Sequence, residues 1–229
     1  MKRSLRVGIL FFTSIFCFGG TAGETYSQGI LQEILTRMDR QNKSLSSLKA
    51  NVTMVKEDVQ LGDSTTTNGT VLYLPQRGDD PLVRIDWIRP EESLAVVKKR
   101  YIIYRPRLKQ AYRGSTEKAK GSASSAGALS FMNMNRAQLK ANYDVAYLSE
   151  ATLSNRTKTW HLRLTPKNKT KYKFAEVWVD TDGFPVQSKI VEMNNDTTTV
   201  LLTNLQKNVT LNASAFSITI PKGTKFIEG

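Results

Sequence analysis

The side chains that carry most enzyme and metal chemistry are scarce in this sequence. The 229 residues include one histidine, His161, and one cysteine, Cys17. Zinc and other transition-metal sites draw several ligands from such residues at short spacings, which this sequence does not offer. His161 alternates with Trp160 and Leu162, so it is expected on the opposite, solvent-facing side of a half-buried strand. We therefore predict no metal site and no cofactor.

Serine and carboxylate groups likewise lack the neighbours that catalysis requires. Ser122, Ser124 and Ser125 lie in a stretch rich in Gly, Ser, Ala and Lys, without the pattern of a nucleophile elbow. The pairs Asp79–Asp80 and Glu91–Glu92 adjoin prolines, where solvated turn carboxylates are common. No glycine-rich phosphate loop follows a predicted strand. The sequence therefore predicts no catalytic residue, and we expect the protein not to be an enzyme.

The amino terminus has the three parts of a secretory signal. A basic region at residues 2–6 precedes an apolar run at 7–18 and a zone of small residues at 19–23. The apolar run is far shorter than the roughly 20 residues that a membrane-spanning helix needs. We predict a signal peptide over residues 1–23, cleaved near Ala22 or Gly23, and a single exported mature domain over 24–229. Because Cys17 lies in the removed segment, the mature chain is expected to have no thiol and no lipid anchor.

The positive charge of the chain narrows the class of its partners. The formal net charge is +13, which favours anionic surfaces such as lipid head groups or nucleic acid. Proteins that bind nucleic acid by stacking place aromatic side chains among their cations. Here Tyr172, Phe174 and Trp178 alternate away from the lysines of residues 167–173. Since the chain is also predicted to be exported, we expect no nucleic-acid partner and an exterior that is solvated or faces lipid.

The second half of the sequence predicts amphipathic β-strands with one apolar face. Trp160 and Leu162 begin an alternating pattern, and after Pro166 the pattern resumes with Phe174 and Trp178. Asp182-Gly183 suits a tight reversal into a return strand at 186–190. A two-stranded hairpin is not stable alone, so it must belong to a larger sheet whose apolar face is covered.

The first half predicts one helix followed by a meander of short strands. Residues 26–41 form an amphipathic helix whose apolar stripe is Ile30, Leu31, Ile34, Leu35 and Met38. Alternating strands follow to residue 104, broken by Pro75, Pro81 and Pro90, with no parallel α/β repeat. The fold class is therefore α+β, mainly β.

A flexible segment separates the two halves. Residues 114–127 predict a mobile loop, and residues 128–134 are apolar and rich in Met and Phe. Asn135 and Gln138 then resemble a capping pair that opens a short helix. The apolar segment suits a lid over a cavity, because Met adapts to varied shapes, and it equally suits an ordinary plug of the core.

Several motifs in order resemble the LolA-type lipoprotein carrier family and its lipoprotein-sorting relatives. The resemblance covers about residues 26–226, and its motifs include Asn68-Gly-Thr-Val-Leu-Tyr, Val83-Arg-Ile-Asp-Trp, Tyr104-Arg-Pro, Leu139-Lys-x-x-Tyr-Asp-Val, Val177-Trp-Val-Asp-x-x-Gly-Phe-Pro and Phe216-Ser-Ile-Thr-Ile-Pro. Such a resemblance implies an unclosed (half) β-barrel of about eleven antiparallel strands, with helices covering the concave face and an apolar cavity between them. It leaves open whether Arg77, Arg84 or neither of them fastens the lid.

The resemblance also implies a function and its partners. Members of the family carry the acyl chains of lipoproteins across the periplasm, from an inner-membrane exporter complex to an outer-membrane acceptor. We therefore expect a monomer whose cargo is an acylated lipoprotein or another lipid. A lipid or lipoprotein sensor with the same fold is the alternative, and a lipid hydrolase would need reacting groups that the sequence does not show.

Fourteen apolar residues are predicted to line the cavity. They are inward-facing strand residues and the two aromatic or sulfur residues of the apolar segment, and each could equally be ordinary core. The set comprises Tyr73, Val83, Ile85, Trp87, Val96, Ile103, Phe131, Met132, Trp160, Leu162, Phe174, Trp178, Ile190 and Leu202.

Overall fold

The computed structural model describes residues 22–76, 81–115 and 134–228, with side chains from residue 28 onward. The predicted signal peptide therefore lies almost entirely outside the described residues, as do Phe131, Met132 and Arg77. The described chain forms helices α1 Ala22–Ser44 and α2 Arg136–Asn142 and short 3-10 helices η1 Pro106–Leu108 and η2 Ala213–Phe216. Its strands are β1 Leu48–Asp58, β2 Asp63–Leu74, β3 Leu82–Trp87, β4 Glu92–Val97, β5 Arg100–Arg105, β6 Gln110–Ser115, β7 Tyr143–Thr152, β8 Lys158–Pro166, β9 Tyr172–Asp180, β10 Pro185–Glu192, β11 Thr197–Lys207 and β12 Lys225–Glu228.

All twelve strands belong to one unclosed sheet. Their spatial order is β12-β6-β5-β4-β3-β2-β1-β11-β10-β9-β8-β7, so β12 and β7 are the two edges. Neighbouring strands pair antiparallel except β12, which runs parallel to β6. The predicted fold, a mainly β unclosed sheet with helices on its concave side, is confirmed. The predicted helix at 26–41 is longer at both ends, and Asn135 and Gln138 form the predicted capping box at the start of α2.

The core lies between α1 and the face of the sheet that we call the inner face. Ile34, Leu35 and Met38 of α1 are buried against it, and Ile30 and Leu31 pack at its margin. The paired residues Val71, Ile85 and Leu94 show how the register keeps apolar side chains on this face from strand to strand. The alternating burial of β1 and β2 has the same origin, since successive strand residues point to opposite faces.

The outer face of β3–β6 carries a second, smaller core that the sequence did not predict. Residues 217–220 follow η2 and pair with no strand of the sheet. Phe216 is fully buried, as are Ala95 and Ala111 on the outward side of β4 and β6. η2 contacts β3 and β4, so the large Phe216 ring occupies the space that these small residues leave.

Arg84 fastens this carboxy-terminal segment to the outer face. Its guanidinium donates to both carboxylate oxygens of Asp86, and its Nη1 donates to the Ser217 carbonyl oxygen at 2.8 Å and to the Ala215 carbonyl oxygen at 3.1 Å. The Ser93 hydroxyl also donates to Asp86. Arg84 therefore holds the carboxy-terminal segment on the side of the sheet away from α1, and it is not placed to hold a lid over the inner face.

Replacing Arg84 with lysine should loosen this attachment. A lysine keeps the charge but loses the planar fork that binds a carboxylate and two carbonyls together. We expect the free energy of unfolding to fall by about 1–2 kcal/mol. Limited proteolysis should cut the chain near residues 212–224 faster in the variant, and an unchanged cleavage pattern would contradict this role of Arg84.

Candidate functional site

The inner face is closed over one half of the sheet. The turn between β9 and β10 holds α1 there, because Arg37 Nη1 donates to the Thr181 carbonyl oxygen at 2.9 Å. α1 also contacts β7 and α2, and the Arg37 guanidinium lies 5.4 Å from the centre of the Trp160 ring. Under this half of the sheet most inward residues are buried, among them Leu162, Ile190 and Leu202, while Trp160 is partly exposed. This half is ordinary protein core.

The other half of the inner face keeps apolar side chains partly exposed. Val83, Val96, Tyr101 and Ile103 on β3–β5 are each partly exposed, and we call them the inner patch. Val83 pairs with Val96 and Val96 with Tyr101, while Ile103 pairs with the buried Leu94, so all four lie on one face. The inner patch is therefore a continuous apolar surface that joins the core yet remains accessible.

Two glycines let aromatic rings lie flat against this half of the sheet. A Cβ on Gly69 would lie 2.3 Å from the Asp86 carbonyl oxygen and 3.0 Å from the Trp87 ring. A Cβ on Gly114 would lie 2.7 Å from the Tyr101 hydroxyl oxygen. Each ring thus covers a position without a side chain, which widens the apolar surface around the inner patch.

A polar group closes one end of the inner patch. The Arg105 guanidinium forms an ion pair with Glu92 and lies 5.0 Å from the centre of the Tyr112 ring. The hydrogen bond from Arg105 to Glu92 raises the pKa of the guanidinium further, so the cation is permanent. The Tyr112 hydroxyl donates to Gln110 at 2.9 Å. An apolar surface that ends in a fixed cation and hydrogen-bonding groups suits an amphiphilic ligand.

These polar residues were not predicted from the sequence as part of a site. Glu92 was interpreted as a solvated turn carboxylate, and Arg105 appeared only within the Tyr104-Arg-Pro motif. The structure places both at strand ends, where Trp87 pairs with Glu92 and Arg105 with Gln110. Residues two apart in a strand share a face, so Arg105 could have been assigned to the same inward face as Ile103 from the sequence.

The prediction that Phe174 and Trp178 line the inner face is wrong. Trp178 pairs with His161, and Leu162 pairs with Val177, so the inward residues of β9 are Ala175, Val177 and Val179. These small side chains fill the space under α1, and the rings of Phe174 and Trp178 lie on the outer face. There Arg163 lies 4.4 Å from the Phe174 ring centre, and His161 stacks on Trp178 with ring centres 4.2 Å apart.

His161 does point away from Trp160 and Leu162, yet it is not simply solvated. Its side chain is 18% exposed, because the Trp178 ring covers one face and Glu176 lies 3.4 Å from its Nε2. Glu176 also accepts a hydrogen bond from Arg163 at 2.9 Å. The aromatic and charged residues of β8 and β9 therefore form a packed outer surface.

The other predicted lining residues divide between the two halves of the inner face. Ligand contact with any of them stays a prediction, as it does for Phe131 and Met132, which lie outside the described residues. Those buried are Tyr73, Ile85, Trp87, Leu162, Ile190 and Leu202, and those partly exposed are Val83, Val96, Ile103 and Trp160. Met134, at the end of the apolar segment, packs against the core beside Met38, Leu45 and Phe184.

The turn that holds α1 begins at a partly buried carboxylate, Asp180. Burial raises its pKa, although the Phe184 and Asp182 amides donate to Oδ1 at 2.7 and 3.0 Å and the Lys207 ammonium lies 3.8 Å from Oδ2. A carboxyl group whose pKa is higher in the folded chain stabilises the fold when protonated. Its contribution is complete below the ordinary aspartate pKa and is lost as the pH rises through the folded value.

Replacing Asp180 with asparagine should remove this pH dependence. The amide oxygen can still accept from Phe184 and Asp182, and it carries no charge to bury. We expect the free energy of unfolding of the wild type, relative to the variant, to decline as the pH rises from about 3 to 6. Urea unfolding across that range measures the difference, and a wild type that gains stability relative to the variant would contradict the assignment.

Metal and membrane-spanning features are not found in the described part of the chain. No group of three or more His, Cys, Asp or Glu side chains is placed to hold a metal ion among residues 22–76, 81–115 and 134–228. Within those same ranges, no helix combines the length and the apolar character that crossing a bilayer demands.

The described chain is thus a single open sheet whose apolar inner face is covered by one helix over one half and partly exposed over the other. The chain belongs to the LolA family: the model of the outer membrane lipoprotein carrier protein LolA matches residues 43–219. No curated protein matches the sequence.

Solved structures resemble this chain at low sequence identity. An uncharacterised conserved protein from Thermus thermophilus is 14% identical with a TM-score of 0.55, covering 87% of this chain and 99% of its own. A putative outer membrane lipoprotein-sorting protein domain from Vibrio parahaemolyticus is 15% identical with a TM-score of 0.46, covering 84% and 96%. The Mycobacterium tuberculosis lipoprotein LppX is 13% identical with a TM-score of 0.47, covering 81% and 99%.

Proposed function

We propose that the protein is a periplasmic carrier that binds the acyl chains of lipoproteins on the inner patch. It would take its cargo from an inner-membrane exporter complex and deliver it to an outer-membrane acceptor. Membership of the LolA family supports the class of cargo, and the signal-like residues 1–23 support export. No catalytic group is required in this role, because the cargo is moved without chemical change.

The observation that carries the proposal is the accessible apolar surface of β3–β5. Val83, Val96 and Ile103 lie on the same face as the closed core, yet each remains partly exposed. Soluble proteins bury such contiguous apolar surface unless it serves a ligand or a partner. An acyl chain lying along these strands would complete the burial that α1 provides for the other half of the sheet.

The energetics of such binding suit a carrier. Burying an acyl chain contributes about 0.8 kcal/mol per CH₂, so a 16-carbon chain could contribute about 12 kcal/mol before losses. Association and the ordering of a flexible chain remove a large share of that free energy. A surface with one open side holds its cargo firmly in water and still lets a competing apolar environment take it.

The polar end of the inner patch suits the polar end of the cargo. An acyl chain on a lipoprotein ends in ester and amide groups, whose carbonyl oxygens accept hydrogen bonds. The Arg105 guanidinium, whose Nε donates to Glu92, has further N–H donors at the end of the apolar surface. The cargo would therefore lie with its hydrocarbon over Val96 and Ile103 and its polar end beside Arg105.

A transfer experiment tests the proposal. The full chain is expressed with its leader, purified from the exported fraction, and its bound lipid is identified by mass spectrometry. The protein is then incubated with donor vesicles that contain a triacylated lipoprotein and with empty acceptor vesicles. We expect bound acyl lipid and movement of the lipoprotein to the acceptors in proportion to the amount of protein.

Three other results would overturn the carrier role. Cargo that binds but never moves would indicate a sensor, and cargo that is chemically changed would indicate an enzyme. A folded protein that neither retains lipid nor accelerates transfer would show that the inner patch serves another purpose.

A further inference from the structure

The turns at one end of the sheet carry most of the exposed apolar residues. Among the described residues, seven large apolar side chains are exposed, and five of them lie in these turns. They belong to four connections, β1–β2, β3–β4, β5–β6 and β10–β11, and are Val59, Leu61, Ile88, Leu108 and Met193. The other two lie on β7 and β12.

The register puts all four turns at the same end of the molecule. Asp58 pairs with Asp63, Trp87 with Glu92, Arg105 with Gln110, and Glu57 with Thr197. Adjacent strands are about 4.8 Å apart, so the β3–β4 and β5–β6 turns, which lie level with each other, project about 10 Å apart. β2 continues beyond the Gly69–Trp87 pair to Asp63, so the β1–β2 and β10–β11 turns lie farther out along the strands. The result is a row of separate apolar tips, each on its own turn.

Charge divides this row into two parts. The β3–β4 and β5–β6 turns carry the exposed cations Arg89, Arg107 and Lys109 beside Ile88 and Leu108, with Glu91 as their exposed carboxylate. None of these three cations forms an ion pair with the described part of the chain, whereas Arg84, Arg105 and Arg113 are all paired. We call these two turns the basic tips.

The β1–β2 and β10–β11 turns have the opposite charge. Leu61 lies between Asp58 and Asp63, and Met193 lies between Glu192 and Asp196. These carboxylates line a shared polar recess with Glu57. An anionic surface would attract the basic tips and repel these acidic ones.

We propose that the basic tips dock the protein on an anionic lipid bilayer, with Ile88 and Leu108 entering the head-group region and Arg89, Arg107 and Lys109 binding lipid phosphates. Isolated aliphatic side chains can enter a fluid bilayer without preformed pockets. A folded protein partner would need a separate complementary pocket for each of them. Apolar side chains flanked by Lys and Arg are the composition that binds the surface of a bilayer.

This docking goes beyond carriage of cargo and would also orient the inner patch. Arg105 directly precedes the β5–β6 turn, and Glu92 directly follows the β3–β4 turn. The polar end of the inner patch therefore lies at the basic tips. A docked protein would present that end of its apolar surface to the bilayer from which a lipid leaves or into which it returns.

Vesicle flotation tests the proposal without any cargo. The full chain is mixed with vesicles of neutral phosphatidylcholine or with vesicles that contain about one third phosphatidylglycerol. We expect binding to the anionic vesicles that weakens as salt is raised, and weak binding to the neutral ones. The double variants Ile88→Ser/Leu108→Ser and Arg89→Glu/Lys109→Glu should each lower the bound fraction about tenfold.

Leu61→Ser is the matched control, because Leu61 is an equally exposed aliphatic residue on an acidic tip. It should leave binding to anionic vesicles unchanged. Equal losses from the Leu61 variant and the Ile88/Leu108 variant, or no binding to either kind of vesicle, would overturn the proposal. If the protein docks on vesicles but does not transfer lipoprotein, the docking proposal stands and the carrier function is rejected. If it transfers lipoprotein without docking, the carrier function stands and the docking proposal is rejected.

Discussion

Replacing Ile103 with asparagine is expected to lower the affinity for a triacylated lipoprotein peptide by about 100-fold. Ile103 belongs to the inner patch and is partly exposed beside the buried Leu94. The change removes roughly 1.5–3 kcal/mol of apolar contact and places an amide without partners against hydrocarbon. Because each 1.4 kcal/mol is tenfold in affinity, the two effects together give that magnitude. Fluorescence titration with a labelled peptide measures it.

Ile102 offers a control on the same strand. It precedes Ile103, is also partly exposed, and pairs with Ala95 and Arg113 on the outer face. Ile102→Asn should cost similar stability and leave the affinity for the peptide within about twofold of the wild type. If both variants bound the peptide equally well, the inner patch would not be the binding surface.

Replacing Gly183 with alanine is expected to lower the free energy of unfolding by about 3 kcal/mol. Gly183 has a φ of +93°, and a Cβ there would lie 2.4 Å from the Arg37 carbonyl carbon and 2.7 Å from the Met38 amide nitrogen. The left-handed conformation costs an alanine about 1 kcal/mol or more, and the overlap with α1 adds about 1–3 kcal/mol. For a chain of this size we expect a fall in melting temperature of about 10 °C.

Gly223 separates the two causes. Its φ is +83°, and no atom lies within 4 Å of the Cβ that an alanine would add. Gly223→Ala should therefore show the conformational cost alone, about 1 kcal/mol. Thermal unfolding of both variants, followed by tryptophan fluorescence, gives the comparison. Equal losses would mean that the β9–β10 turn does not hold α1 by close packing.

The local structure could be predicted because local rules determine it. The stripe of α1, the capping box of Asn135 and Gln138, and the reversal at Asp182-Gly183 each depend on residues close together in sequence. The alternation of Trp160 and Leu162 also identified a strand correctly. Family resemblance supplied the unclosed sheet, since alternation alone does not state how many strands pair or where the sheet ends.

The face of each strand was harder to assign than the strand itself. Alternation showed that Phe174 and Trp178 share a face, but not which face α1 covers. The largest side chains were expected on the inner face. Because α1 packs close to the sheet, the space there takes the smaller side chains of Ala175 and Val177. Arg163 and His161 then cover the outward rings. The decision depends on residues that are distant in sequence, which a strand pattern does not contain.

The same limit explains the two features that the sequence did not reveal. Phe216 is buried because Arg84 fixes the carboxy-terminal segment, more than 120 residues away in sequence, across the outer face. Arg105 and Glu92 meet because β4 and β5 pair in one register. Both contacts can be derived only once the strand pairing and register of the sheet are known.

The contact between an acyl chain and the inner patch can be measured directly by photo-crosslinking. A photoreactive amino acid is placed at position 103, and separately at position 102, and the protein is loaded with a lipoprotein whose acyl chains are radiolabelled. We predict that label is captured from position 103, with its side chain on the inner patch, and not from position 102 on the outer face. Equal capture from both positions, or capture from position 102 alone, would contradict the binding of lipid on the inner patch.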